Sequence, residues 1–87
     1  MNVITKELLE QKMQRLENDT NKVYTNLKAL HKREATLALQ RLTNQWSDAY
    51  LDLYALRKSR IDYNTDTTWE RLVSIRTLFN YIRIKSY

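Results

Sequence analysis

Apolar residues return along most of this chain in steps of three and four. Leu9, Met13, Leu16, Thr20, Val23, Leu27 and Leu30 form a first series, in the alternating four-and-three spacing of a coiled-coil seam. Leu39, Leu42, Trp46, Ala49, Leu53 and Leu56 make a second, and Leu72, Ile75, Phe79 and Ile82 a third, with Trp69 and Leu78 beside it. Each series lies along one face of a 3.6-residue helix. The pattern predicts an all-α chain with helices over about residues 4–18, 21–63 and 68–86.

Two places decide how the first helices divide. Asn18-Asp19-Thr20-Asn21 is a run of short polar side chains that bond their own backbone and favour a turn or a fresh N-cap. Against a turn, the heptad keeps its register straight through the run, with Thr20 on the seam. The cluster weighs toward a break. After Leu30 the seam changes phase, because continuing the first heptad would bury Glu34 and Arg41. The segment from Lys28 to Glu34 has room for a short bend, yet every residue in it tolerates helix.

An unbroken helix from Leu27 to Tyr63 would be roughly 50 Å long, against a radius of gyration of about 12 Å for a compact chain of this size. Its own chain could not cover it. Leu37, Leu51 and Ala55 also fall opposite Leu42, Trp46 and Leu53, and apolar residues on two sides of a helix imply burial on both. The expectation is an elongated helical bundle or coiled coil whose long central helix packs on a second copy or another helical protein. Its interface would be Leu37, Leu39, Leu42, Trp46, Ala49, Leu51, Leu53 and Leu56.

The clearest boundary is Tyr63-Asn64-Thr65-Asp66-Thr67-Thr68. Thr67 as N-cap and Glu70 three residues on fit a capping box. So short a connection returns the last helix antiparallel to its predecessor, giving a C-terminal hairpin.

Composition sharpens this picture. The 87 residues, read as one domain over 1–87, contain no Gly, Pro or Cys. Hairpins and bulges of β folds depend on the first two, and without Cys there is neither a disulfide framework nor a thiolate metal site. The lone histidine, His31, has no second His to join it, so the usual zinc sets cannot be built. Asp48 and Asp52 are one turn apart and read as a solvated polar face. The chain is therefore expected to be no enzyme, with no cofactor, metal or small-molecule substrate. No apolar run is long enough for a membrane span or a signal-peptide core, which suggests a cytoplasmic protein or one within a particle assembled there.

Charge adds a second expectation. The net charge is +5, and residues 57–87 carry seven Lys and Arg against Asp62, Asp66 and Glu70. Phosphate contacts need such charge and no particular sequence. Arg57, Lys58, Arg60, Arg76 and Arg83 are the candidate nucleic-acid contacts, with Tyr63, Tyr81 and Tyr87 available for stacking. Equally, the arginines could cover the seams with their stems. Lys28, Lys32 and Arg33 read as plain solvated surface.

Two functions follow. One is a non-catalytic helical assembly protein, self-associating or a small subunit of a larger complex such as a viral or phage particle. The alternative is a nucleic-acid-binding accessory protein that uses the basic C-terminal hairpin.

Overall fold

A computed structural model describes residues 6–58 and 65–85. They form three helices, α1 (Lys6–Thr25), α2 (Lys32–Lys58) and α3 (Thr65–Lys85), with a 3-10 turn at Leu27–Ala29. The first series of apolar positions governs α1, which runs through Asn18-Asp19-Thr20-Asn21 unbroken. That corrects the turn expected there, and the register explains it. Thr20 lies on the seam with Leu9, Met13 and Leu16, all fully buried. Its hydroxyl donates to the Leu16 carbonyl at 2.7 Å, so a polar residue is buried with its hydrogen bond made. Asp19 accepts a 3.3 Å bond from Gln45 Nε2 on α2. The cluster is polar because it is helix surface, not because it turns.

The turn comes instead at the phase change. Thr25 Oγ1 donates to the Asn21 carbonyl at 2.8 Å, and Asn26 Nδ2 to that of Lys22 at 2.9 Å. These side chains add a second bond to carbonyls of the last turn, that of Lys22 also accepting the Asn26 backbone N–H at 3.1 Å, and hold the helix end without a glycine. Leu30 is extended, with φ −92° and ψ 135°. The Ala35 N–H then donates to the His31 carbonyl at 2.9 Å, opening α2. The central helix therefore starts at Lys32, not at residue 21 or 27, and its 27 described residues span about 40 Å. The expected end near Tyr63 lies outside the described residues, as does Ser86 at the end of α3. Helix α3 begins at Thr65, two residues before the expected cap. Thr67 is thus inside its first turn, where Asp66 suits the positive end of the helix dipole.

Each connection reverses the chain. Lys12 on α1 meets Asp48 and Asp52 on α2, so these helices are antiparallel. Trp46 Nε1 on α2 donates to the Leu72 carbonyl on α3 at 2.7 Å, and Tyr50 meets Trp69, which makes the second pair antiparallel too. Helix α3 consequently lies parallel to α1, with Tyr24 against Tyr81 at 5.3 Å between ring centroids. The bundle measures 43 × 25 × 15 Å, with a radius of gyration of 14.1 Å.

Its core joins Leu9, Met13 and Leu16 to Leu42, Ala49, Leu53 and Leu56, and these to Leu72, Ile75 and Phe79. Much of the stripe expected to meet another copy is therefore filled from within the chain. Leu42, Ala49, Leu53 and Leu56 are buried there, and Leu39 and Trp46 pack partly buried against them. Leu37 and Leu51 stay outside, 51% and 63% exposed. They stand about 21 Å apart along the helix, with exposed Arg41, Asn44 and Asp48 between them, and single apolar residues on a surface are ordinary. The stripe through Leu39, Leu42, Trp46, Ala49, Leu53 and Leu56 thus serves both neighbours in the chain, α1 and α3, while Leu37 and Leu51 on the other side stay uncovered. Among the described residues, no helix is long and apolar enough to cross a membrane.

Candidate nucleic-acid interface

Packing divides the charged residues into those that tie helices together and those left outward. Lys12 Nζ reaches Asp48 Oδ2 at 2.9 Å and Asp52 Oδ2 at 2.5 Å. Its hydrogen bonds to Asp48 and Asp52 hold the ammonium above the ordinary lysine range. Asp52 is buried against α1, which corrects the solvated face expected for it. A partner 40 positions away leaves no local mark in the sequence. Arg71 is likewise structural. Its Nη1 meets both oxygens of Glu10, at 2.8 and 2.9 Å, and its Nε and Nη2 both meet Glu17 Oε1, the former at 3.0 Å. One guanidinium thereby fastens α3 to two turns of α1.

Topology then sorts the remaining charge by end. The end containing the α1–α2 connection also receives the last turn of α3. Among the described residues it collects Lys22, Lys28, Lys32, Arg33, Arg41, Arg83 and Lys85 against two acids, Asp19 and Glu34. At the opposite end, Lys6, Lys12, Arg57, Lys58 and Arg71 face Glu7, Glu10, Asp48, Asp52, Asp66 and Glu70. Among the described residues, the positive charge is therefore concentrated at one tip.

This arrangement separates the residues proposed from sequence. An antiparallel hairpin sends Arg83 away from Arg57 and Lys58, so the C-terminal charge is not gathered at one end. Arg57 lines a cleft between α2 and α3 with Tyr54, Asp66 and Trp69. Lys58 Nζ lies over the Tyr54 ring, 4.8 Å from its centroid. Arg76 stands over Trp46 at 5.7 Å, midway along the bundle, and Arg60 lies outside the described residues. Lys28, Lys32 and Arg33, dismissed as plain surface, become neighbours of Arg83 and Lys85. The missed signal was the phase change at Leu30, which places a chain reversal beside that basic run.

Helix dipoles make part of this cluster informative. Lys22 is in the last turn of α1, and Arg83 and Lys85 in that of α3, where cations suit the negative helix end. Lys32 and Arg33 open α2, at the positive end, where they oppose the dipole. An anion would gain from both the side chains and the helix start.

A second surface feature lies on the α2–α3 side. Trp46 and Tyr50 stack at 5.6 Å with 4° between planes, and Trp69 tilts against them at 6.5 and 5.8 Å. Trp46 is half-buried, while Tyr50 and Trp69 are 38% and 43% exposed. Trp46 thus packs partly buried against the core, while Trp69 lies largely at the surface. His31 is exposed at the α1–α2 connection, and among the described residues no group of three or more His, Cys, Asp or Glu is placed to hold a metal. No protein-family model, curated protein or solved structure matches the chain.

Proposed function

We propose that this chain is a non-catalytic helical protein that binds nucleic-acid phosphates with the basic end of its bundle. The observation that supports the reading is the gathering of Lys22, Lys28, Lys32, Arg33, Arg83 and Lys85 at one end with only Asp19 and Glu34 as acids, including two cations at the start of α2, the positive end of its dipole. Binding of this kind draws on counterion release and needs no base contacts. The residues carrying it are the α1–α2 connection and the tip of α3 rather than Arg57 and Lys58. Self-association through the α2 seam has less support, since α1 and α3 occupy much of that seam and leave only Leu37 and Leu51 of the expected interface largely exposed. A cytoplasmic location, or one inside a particle assembled there, suits a protein with such a partner.

The test is fluorescence anisotropy of labelled oligonucleotides across a salt series. Affinity should fall linearly on a log–log plot against salt, with a slope of about −0.7 per phosphate contact for a single strand or about −0.9 for a duplex. Replacing Lys28, Lys32 and Arg33 together by Gln should weaken binding by about tenfold or more, while Arg57→Gln with Lys58→Gln should change it far less. Equal binding by the triple variant, or affinity indifferent to salt, would remove the reading.

A further inference from the structure

The ring cluster and the basic end are joined by one surface. On α3, Trp69, Val73, Arg76, Asn80 and Arg83 are spaced four, three, four and three apart, so they share a face, and all five are exposed. Beside them on α2 run Tyr50, Trp46, Thr43, Leu39, Thr36 and Lys32 in the same spacing, with Arg76 over Trp46 as the point where the rows meet. Between Trp69 and Arg83, and between Lys32 and Tyr50, neither row contains an acid; one step before Trp69 the α3 face carries Asp66, which lines the cleft with Tyr50, Trp69 and Arg57. The acids of α2 occupy other positions: Asp48 and Asp52 face Lys12 of α1, and Glu34 is off this row.

Rings mark one end of the surface and cations the other. Trp46 is fixed by its 2.7 Å hydrogen bond to the Leu72 carbonyl. It presents Tyr50 as a stacked ring with Trp69 tilted alongside, a platform that needs no ordering when a flat ligand arrives. From Trp69 to Arg83 the face runs about 21 Å. A duplex buries its base faces in its own stack, whereas a single strand offers them to aromatic side chains while its phosphates follow cations. Exposed rings at one end of a row and cations at the other match the single strand.

We infer that the α2–α3 face is a track for single-stranded nucleic acid, with bases on Tyr50 and Trp69 and phosphates along Arg76, Arg83 and Lys32. The assignment rests on the nucleic-acid reading above and adds the form of ligand. The experiment compares a short labelled single strand with a duplex of the same length, following anisotropy and the emission of the two tryptophans. The parent should favour the single strand, and its emission should be quenched on binding. Trp69→Ala should weaken single-strand binding by about fivefold or more and Tyr50→Ala similarly, as loss of one stacked base requires. Duplex binding should change little, and Trp69→Phe should restore most of the loss. Circular dichroism establishes that each variant is folded.

Unchanged single-strand affinity in folded Trp69→Ala and Tyr50→Ala would overturn the track while leaving the basic end intact. A parent that binds neither oligonucleotide would overturn both readings. So would a different result overturn the track alone: a parent that is dimeric without oligonucleotide, and monomeric as Trp69→Ala, would assign the rings to a second copy.

Discussion

The side of the bundle facing α1 and the side shared by α2 and α3 use the same residue types differently. Toward α1, cations meet carboxylates: Lys12 with Asp48 and Asp52, Arg71 with Glu10 and Glu17. Along the α2–α3 face, Arg76 meets a ring, and the rows hold no acid between Trp69 and Arg83 or between Lys32 and Tyr50. A count of Lys and Arg treats these as one population. Packing shows that Lys12 and Arg71 hold helices together, which a count alone cannot distinguish from the cations gathered at the basic end.

Four changes probe that division, from the largest effect to the smallest. Leu16→Ala removes a fully buried side chain of α1 and should cost about 2–5 kcal/mol, read as a drop in thermal midpoint by circular dichroism. If α1 were only loosely docked, the loss would be far smaller. Lys12→Met strips the ammonium from buried Asp52 and should cost about 1–3 kcal/mol. Its contribution also has a signature in pH. The folded ammonium titrates above the ordinary lysine value, so its stabilisation is complete below about pH 10 and disappears as pH rises through the folded value. Denaturant melts of parent and variant should therefore converge at high pH; a gap that stays constant would show that the pair adds nothing to folding.

Arg71→Met leaves Glu10 and Glu17 without their shared cation and should cost about 1–2 kcal/mol, discounted for the exposure of both carboxylates. Oligonucleotide affinity should move less than twofold, because Arg71 belongs to the tied side. A large loss of affinity would erase the division. Leu51→Asp alters an exposed residue of α2 and should shift stability by less than about 0.5 kcal/mol. Light scattering should give the same mass for parent and variant. A lower mass for the variant would return Leu51 to the role of an assembly contact.

The elements were legible wherever one apolar stripe met the core. Leu9, Met13 and Leu16 on α1, and Leu72, Ile75, Phe79 and Ile82 on α3, are buried as their spacing requires. The register through Thr20 was equally readable, and it outweighed the polar cluster because a hydroxyl can be satisfied by the carbonyl four residues back. The reversal at residues 26–31 was visible only as a phase change, since Thr25 and Asn26 cap the helix without any glycine to mark it. Of the two stripes read on α2, the one through Leu42, Ala49, Leu53 and Leu56 is buried by the chain's own helices, whereas Leu37 and Leu51 on the other are exposed. The basic end was hidden. Its members come from three stretches of sequence, and only the antiparallel order of α2 and α3 sends Arg83 and Lys85 toward Lys28, Lys32 and Arg33.

The length of the bundle gives that order a consequence for the range of its field. At physiological ionic strength the Debye length is about 8 Å, whereas the long axis is 43 Å. The acids at one tip are screened from the cations at the other several times over. An approaching polyanion therefore meets a positive pole undiluted by the rest of the molecule and is steered to it end-on. Near 0.01 M salt the Debye length grows to about 30 Å, the two tips come into each other's range, and the encounter is governed by the dipole of the whole rod.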